Sequence, residues 1–250
     1  MINLKNKIIF LTGSNGELGK FVTKEFIKYG VKLILTDIDN KSFIKSKNIL
    51  GYYKCDFSSR EQKNLLFQAI KKKYKKIDIL INNAALTGNQ LYKERKKLKD
   101  LYYWDKAIEI NLTSTNQIIS NLKPLLLKSN TASIINISSI HGMLSPDLDL
   151  YKNTSMKNYA SYSITKSSII HLTKWYAAQF APKIRVNCIS PGGVYRGQPK
   201  IFTKRYLDKT PMQRMTKLND IFGSIVFLSS NLSSYITGQN IIVDGGYSIK

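Results

Sequence analysis

The sequence predicts an α/β fold: a single-domain, doubly wound parallel sheet of about seven strands with helices on both faces, spanning residues 1–250. Three observations carry this. Short, continuously apolar runs alternate with longer amphipathic segments, as in parallel strands buried on both faces. No repeat and no Pro/Gly/Ser-rich linker divides the chain. With 43% hydrophobic residues, a chain of this length can bury about three quarters of its unfolded surface in one core.

The elements follow in order. Ile8–Leu11 is an apolar first strand, and a helix runs from Glu17 to Tyr29. Val31–Thr36 and Gly51–Cys55 are strands two and three. A helix over Arg60–Lys73 carries Leu65, Leu66, Ala69 and Ile70 at helical spacing. Ile77–Ile81 is strand four, and a long helix covers Trp104–Lys128. Ser133–Ile137 is strand five. The helix Tyr159–Phe180 follows, stopped by Pro182. Ile184–Ile189 is strand six, helices lie near Lys200–Leu207 and Asn219–Ser229, and Asn240–Val243 is strand seven. Crossovers in such a sheet are right-handed, so strand C-termini share one edge, where ligands bind.

Composition excludes several classes. No uncharged apolar run reaches the roughly 18 residues of a membrane helix, and the first residues enter a strand without a signal-peptide pattern. Cys55 and Cys188 form no Cys-x-x-Cys pair, so neither a disulfide framework nor a metal cluster is expected, and a reducing cytoplasm fits. The formal charge is +23, but 33 of the 39 basic residues are Lys and only 6 are Arg. Base reading favours Arg. The lysines are scattered apart from clusters at Lys71–Lys76 and Lys93–Lys99. They read as a solvated surface that steers small anions, with neither nucleic acid nor membrane as partner.

Strand one is followed by Thr12, Gly13, Ser14, Asn15, Gly16, Glu17, Leu18 and Gly19, then a helix. Glycines there let the backbone approach a pyrophosphate at the helix N-terminus, a Rossmann-type dinucleotide site. Strand two ends at Asp37, followed by Ile38. A carboxylate there accepts both adenosine ribose hydroxyls and repels a 2′-phosphate. No basic residue adjoins it, so NAD is preferred over NADP. Asp56 and Phe57 follow strand three, at the adenine. Strand four ends in Asn82, Asn83, Ala84 and Ala85, small residues that let the chain pass close to a cofactor.

Tyr-x-x-x-Lys puts both side chains on one helix face. With 15 Tyr and 33 Lys, chance supplies about two such pairs, and there are three: Tyr92/Lys96, Tyr102/Lys106 and Tyr162/Lys166. Position selects the third, because it follows a strand ending in Ser138 and Ser139. Hydride transfer to or from an alcohol carbon needs a proton transfer at the oxygen. Tyr162 supplies it, with Lys166 and an oxidised nicotinamide expected to lower its pKa from about 10. Ser139 would bond the substrate oxygen. Asn111, unfavourable inside a helix, could hold a water relay behind Lys166. His171 reads as packing, and no Ser-His-Asp constellation is visible.

In this order the motifs resemble the short-chain dehydrogenase/reductase family across nearly the whole chain. They are the Thr-Gly turn, Asp37, Asp56, Asn82–Ala85, Asn111, Ser139, Tyr162/Lys166, Pro191-Gly192-Gly193-Val194 and Val243-Asp244-Gly245-Gly246. The resemblance implies a catalytic Asn111–Ser139–Tyr162–Lys166 tetrad. It implies a nicotinamide loop at Pro191, Gly192 and Val194, and a homotetramer or homodimer built through the long helices and the C-terminal region. Three features depart from the family. Glu17 occupies the usual middle-glycine place, a spacing that resembles the extended sugar-nucleotide branch. Arg196 stands where the nicotinamide loop usually has Thr. The interval from Ser139 to Tyr162 is long, so an insert at 141–158 must bulge beside the site. The insert and the Ser190–Pro199 segment are similar to oxidoreductases of bacterial surface-sugar pathways and to gluconate 5-dehydrogenase-like enzymes. That similarity implies a polyhydroxylated, anionic substrate. Loops at the strand C-terminal edge build specificity in such a sheet, so His141 and Tyr151 of the insert, with Arg196 and Gln198 after strand six, are expected to form the substrate wall. The alternatives are a sugar dehydratase or epimerase with tightly bound NAD, and a non-catalytic dinucleotide-binding protein.

Overall fold

A computed structural model describes residues 2–87 and 100–250. The Tyr92/Lys96 pair and the Lys93–Lys99 cluster lie outside the described residues. Seven strands form one parallel sheet: β1 (Ile8–Thr12), β2 (Lys32–Asp37), β3 (Ile49–Lys54), β4 (Ile79–Asn82), β5 (Ala132–Ile137), β6 (Ile184–Pro191) and β7 (Asn240–Val243). Their spatial order is β3-β2-β1-β4-β5-β6-β7, so the order reverses between β1 and β4. That reversal opens a crevice at the strand C-termini.

Both faces of the sheet are apolar because alternate residues serve opposite layers. On one face Phe10, Ile34, Leu80, Ile134 and Val186 pack beneath α2 (Arg60–Lys73), α4 (Ser114–Leu126) and α5 (Ala160–Phe180). On the other, Ile9, Leu11, Leu33, Leu35, Ile79, Ile81 and Ile135 meet α1 (Glu17–Lys28) and α7 (Leu218–Ser229). The register of β4 against β5 sets Asn82 opposite Asn136. A buried ladder runs from Asn82 Nδ2 to Asn136 Oδ1 (2.8 Å), and from Asn136 Nδ2 to Thr173 Oγ1 on α5 (2.9 Å).

One expectation is corrected. The continuous helix predicted over 104–128 is α3 (Asp100–Ala107), a wider π-helical turn at Ile108–Thr113, and α4. Side chains at the start of α4 compete for the carbonyls of that turn. The Ser114 hydroxyl is shared between the carbonyls of Glu109 and Phe57, and Thr115 Oγ1 donates to Asn111 O. The insert at 141–158 lines the crevice at the strand C-termini with His141, Leu150, Tyr151 and Met156. It forms a short 3-10 turn at Leu148–Tyr151 and docks on α6 (Lys200–Asp208). Leu150 and Tyr151 pack with Phe202 and Tyr206, Arg205 donates to the carbonyls of Asp149 and Lys152, and Lys209 pairs with Asp147.

Candidate active site

A cleft of about 650 Å³ runs along the C-terminal strand edge. At one end, Gly13 adopts φ +65, and a Cβ there would lie 2.8 Å from Ala84 Cα. Only glycine lets the turn approach β4 this closely. Asn83 locks the approach by donating to the carbonyls of Thr12 (3.0 Å) and Gly13 (2.9 Å). Gly16 caps α1 without a side chain, leaving the first-turn N–H groups for a ligand. Asp37 is held at the end of β2, its oxygens accepting from the N–H groups of Asn15 and Ile38, each at 2.8 Å. The Asp56 carboxylate accepts from Ser58 N–H (2.8 Å) and hydroxyl (2.7 Å).

Gly13, Asn15, Gly16, Leu18, Asp37 and Ile38 line this end, with Asp56, Phe57 and Asn83–Ala85. Two predicted residues stand behind it. Ser14 is fully buried. A Cβ on Gly19 would fall 2.1 Å from Gly13 O, so Gly19 closes α1 onto the turn. The lining fits a dinucleotide: a glycine cradle and free helix N–H groups for pyrophosphate, and a carboxylate for a ribose.

At the other end, β5 delivers Ser139, and the turn Ile140–Gly142 brings the chain against α5. A Cβ on Gly142 would lie 2.7 Å from the Lys166 carbonyl carbon, which explains a glycine there. Tyr162 and Lys166 share one face of α5, with Lys166 Nζ 5.7 Å from the Tyr162 ring centre. The Ser139 hydroxyl accepts from His141 N–H at 3.2 Å, and Lys166 Nζ donates to Ile137 O at 2.8 Å. Burial pushes the Tyr162 phenol up, with the Ser139 hydroxyl and the Arg196 charge pulling it down. Lys166 is pushed down to about 8 by burial. The expected lowering of Tyr162 is therefore not produced by the chain alone, because desolvation of the phenolate dominates.

Asn111 lies behind this group instead of lining the cleft. Its Oδ1 accepts from Leu86 N–H (2.7 Å), and its Nδ2 donates to Leu86 O (3.2 Å) and Thr165 Oγ1 (3.1 Å). Its side chain thus ties the π-helical turn to the segment after β4 and to α5.

His141, Tyr151, Arg196 and Gln198 all line the cleft. Burial holds the His141 imidazole below its ordinary pKa, so it is neutral near pH 7, and its ring lies 6.5 Å from that of Tyr162. Tyr151 packs against Phe202 at 5.4 Å. Arg196 Nε reaches the cofactor turn and pairs there with Glu17, the first residue of α1, at 2.6 Å. Gln198 is used within its own loop, accepting from Arg196 N–H and donating to Val194 O, each at 2.7 Å. The loop after β6 adds Pro191, Gly192 and Val194. Met156 of the insert also lines this end, and residues that sequence reasoning missed complete it: Tyr159, Phe202, Tyr206 and Met215. Their spacing carries no periodic signal, since the fold gathers them from distant segments.

A family model described as enoyl-(acyl carrier protein) reductase matches residues 14–248. The chain belongs to the short-chain dehydrogenase/reductase family. A post-translational flagellin modification protein A of Campylobacter coli is 32% identical, covering 98% of this chain and 100% of that one. A 3-oxoacyl-[acyl-carrier-protein] reductase of Thermotoga maritima is 31% identical, covering 99% and 100%. The crystal structure of a short-chain dehydrogenase from Leptospira borgpetersenii with bound NAD+ is 30% identical. It superposes with a TM-score of 0.87 over 98% of this chain and 94% of that one. This short-chain dehydrogenase/reductase is accordingly an oxidoreductase that acts on CH–OH groups of small molecules with a nicotinamide dinucleotide. No described helix is long and apolar enough to cross a membrane.

Proposed function

We propose that the chain interconverts a secondary alcohol and a ketone on a polyhydroxylated, anionic carbohydrate, using NAD in preference to NADP. The observation that carries the reading is the convergence of Ser139, Tyr162 and Lys166 at one end of a cleft whose other end is Asp37. The bound dinucleotide supplies the hydride acceptor or donor and, when oxidised, a positive charge. The gap that burial leaves in the tuning of Tyr162 is one such a charge would fill.

Each side chain then has a task. Tyr162 Oη moves the proton at the substrate oxygen, and Ser139 Oγ orients that oxygen. Lys166 holds positive charge beside the phenol and offers its remaining N–H groups to a ribose. Asn111 positions α5 and the segment after β4. Gly13, Ser14, Asn15, Gly16, Leu18 and Gly19 build the pyrophosphate turn. Asp37 and Ile38 take the ribose, Asp56 and Phe57 border the adenine, and Asn83–Ala85 with Pro191, Gly192 and Val194 enclose the rest. His141, Tyr151, Arg196 and Gln198 form the substrate wall. The flagellin-modification relative supports a role in bacterial surface-glycan synthesis.

The wall also holds apolar Met156, Phe202 and Met215, which suits stacking on a sugar ring's C–H face. The acyl-carrier reductase relative supports a second reading, an acyl substrate seated on that apolar side. Ile164 and Trp175 are 44% and 52% exposed on α5, which supports burial of that helix in a homodimer or homotetramer. The cytoplasm is the proposed location, consistent with two free cysteines. The experiment is a panel of sugar acids, sugar phosphates, nucleotide sugars and acyl thioesters, offered with NAD or NADH. Turnover of acyl thioesters alone would overturn the carbohydrate reading.

A further inference from the structure

The loop after β6 is gripped from three sides. Gly192 N–H donates to Val243 O (2.9 Å), and Gly193 O accepts from Thr216 N–H (2.9 Å). The third grip is a side chain: Gly193 N–H donates to the Tyr206 hydroxyl at 2.7 Å. Tyr206 is almost fully buried and its ring is stacked on Tyr247, with centres 4.7 Å apart and planes 13° from parallel. A Cβ on Gly193 would sit 3.0 Å from that ring, and one on Gly192 would sit 2.8 Å from its hydroxyl. The two glycines and this tyrosine are therefore fitted to one another.

Sheet order says which part of a dinucleotide the loop meets. β6 is next to β5, which carries Ser139, and is on the far side of β1 and β4 from Asp37. With the adenosine ribose at Asp37, the loop faces the reacting end. Tyr206 also belongs to α6, the helix on which the insert is latched by Arg205.

We propose that Tyr206 is a positioning residue for the reacting end of the cofactor, setting the Pro191–Val194 loop through Gly193 and linking it to the helix that carries the substrate wall. This rests on the dinucleotide reading of the cleft. Tyr206→Phe keeps the stacked ring and leaves the part-buried Gly193 N–H without its partner. The loss of such a bond corresponds to about tenfold in affinity.

The test compares NADH with ADP-ribose, which lacks the nicotinamide, by calorimetric titration of wild type and Tyr206→Phe, alongside thermal melting. The expected result is NADH binding weakened about tenfold, ADP-ribose binding unchanged and a folded variant with one cooperative melt. Equal weakening of both ligands, or no change in NADH binding, overturns the proposal. If Tyr206→Phe fails to fold, Gly193→Ala, which crowds the same ring, is read by the same comparison. Wild type that binds neither ligand would instead refute the dinucleotide reading.

Discussion

Replacing Lys166 by Met should make the protein more stable near neutral pH while destroying its activity. Lys166 is 4% exposed, and burial lowers its ammonium from the ordinary 10.5 to about 8. That difference corresponds to about 3 kcal/mol of penalty on the charged form. At pH 7 the folded protein carries the whole of it. Between about pH 8 and 10.5 the folded chain has lost this proton and the unfolded chain has not, so stability rises with pH across that window.

Met has similar length and no charge, so it removes the penalty but forfeits the hydrogen bond to Ile137 O, about 1 kcal/mol. The net gain is about 2 kcal/mol at pH 7, or roughly 4–8 °C in Tm for a chain of this size. Scanning calorimetry of cofactor-free wild type and variant at pH 7 and pH 10 isolates the effect as their difference. The variant should melt higher at pH 7, and the advantage should disappear at pH 10. A variant that melts lower at pH 7, or an advantage independent of pH, would refute the reasoning.

Tyr162→Phe should lower kcat by about two to four orders of magnitude and leave NADH affinity in calorimetric titration nearly unchanged; Tyr102→Phe should match wild type. NAD should bind more tightly than NADP in paired titrations, and Asp37→Ala should narrow the gap, since the carboxylate fixed by Asn15 and Ile38 opposes a 2′-phosphate. Arg196→Ala should raise KM for an anionic substrate with little change in NAD affinity, and added salt should raise the wild-type KM likewise. Glu17→Gln, which frees Arg196 from its ion pair, should lower that KM, as steady-state kinetics would reveal.

The sheet was legible because short apolar runs such as Ile8–Leu11, set between longer amphipathic segments, fit strands buried on both faces. Position singled out Tyr162/Lys166, since only that pair follows a strand ending in serines, and both residues line the cleft. Asn111 announced an anomaly inside a helix, but not that its amide would be used by Leu86, because that contact depends on tertiary approach. The docking of the insert was hidden for the same reason: Arg205 and Lys209 are two among many basic residues until α6 turns them toward 147–152. Tyr206 gave no signal, since its partners lie in the loop after β6 and in the C-terminal turn. Tuning of Tyr162 was half legible, because spacing placed Lys166 beside it but could not weigh burial against charge.

The most direct test of the account is net turnover of the cofactor. With a carbohydrate substrate found in the panel, wild-type protein should form or consume one NADH per product, followed by absorbance of the reduced cofactor. Tyr162→Phe should slow that change by about two to four orders of magnitude at matched NADH occupancy. Product formed by wild type with no net change in NADH would contradict the account and point to a dehydratase or epimerase that keeps its dinucleotide bound.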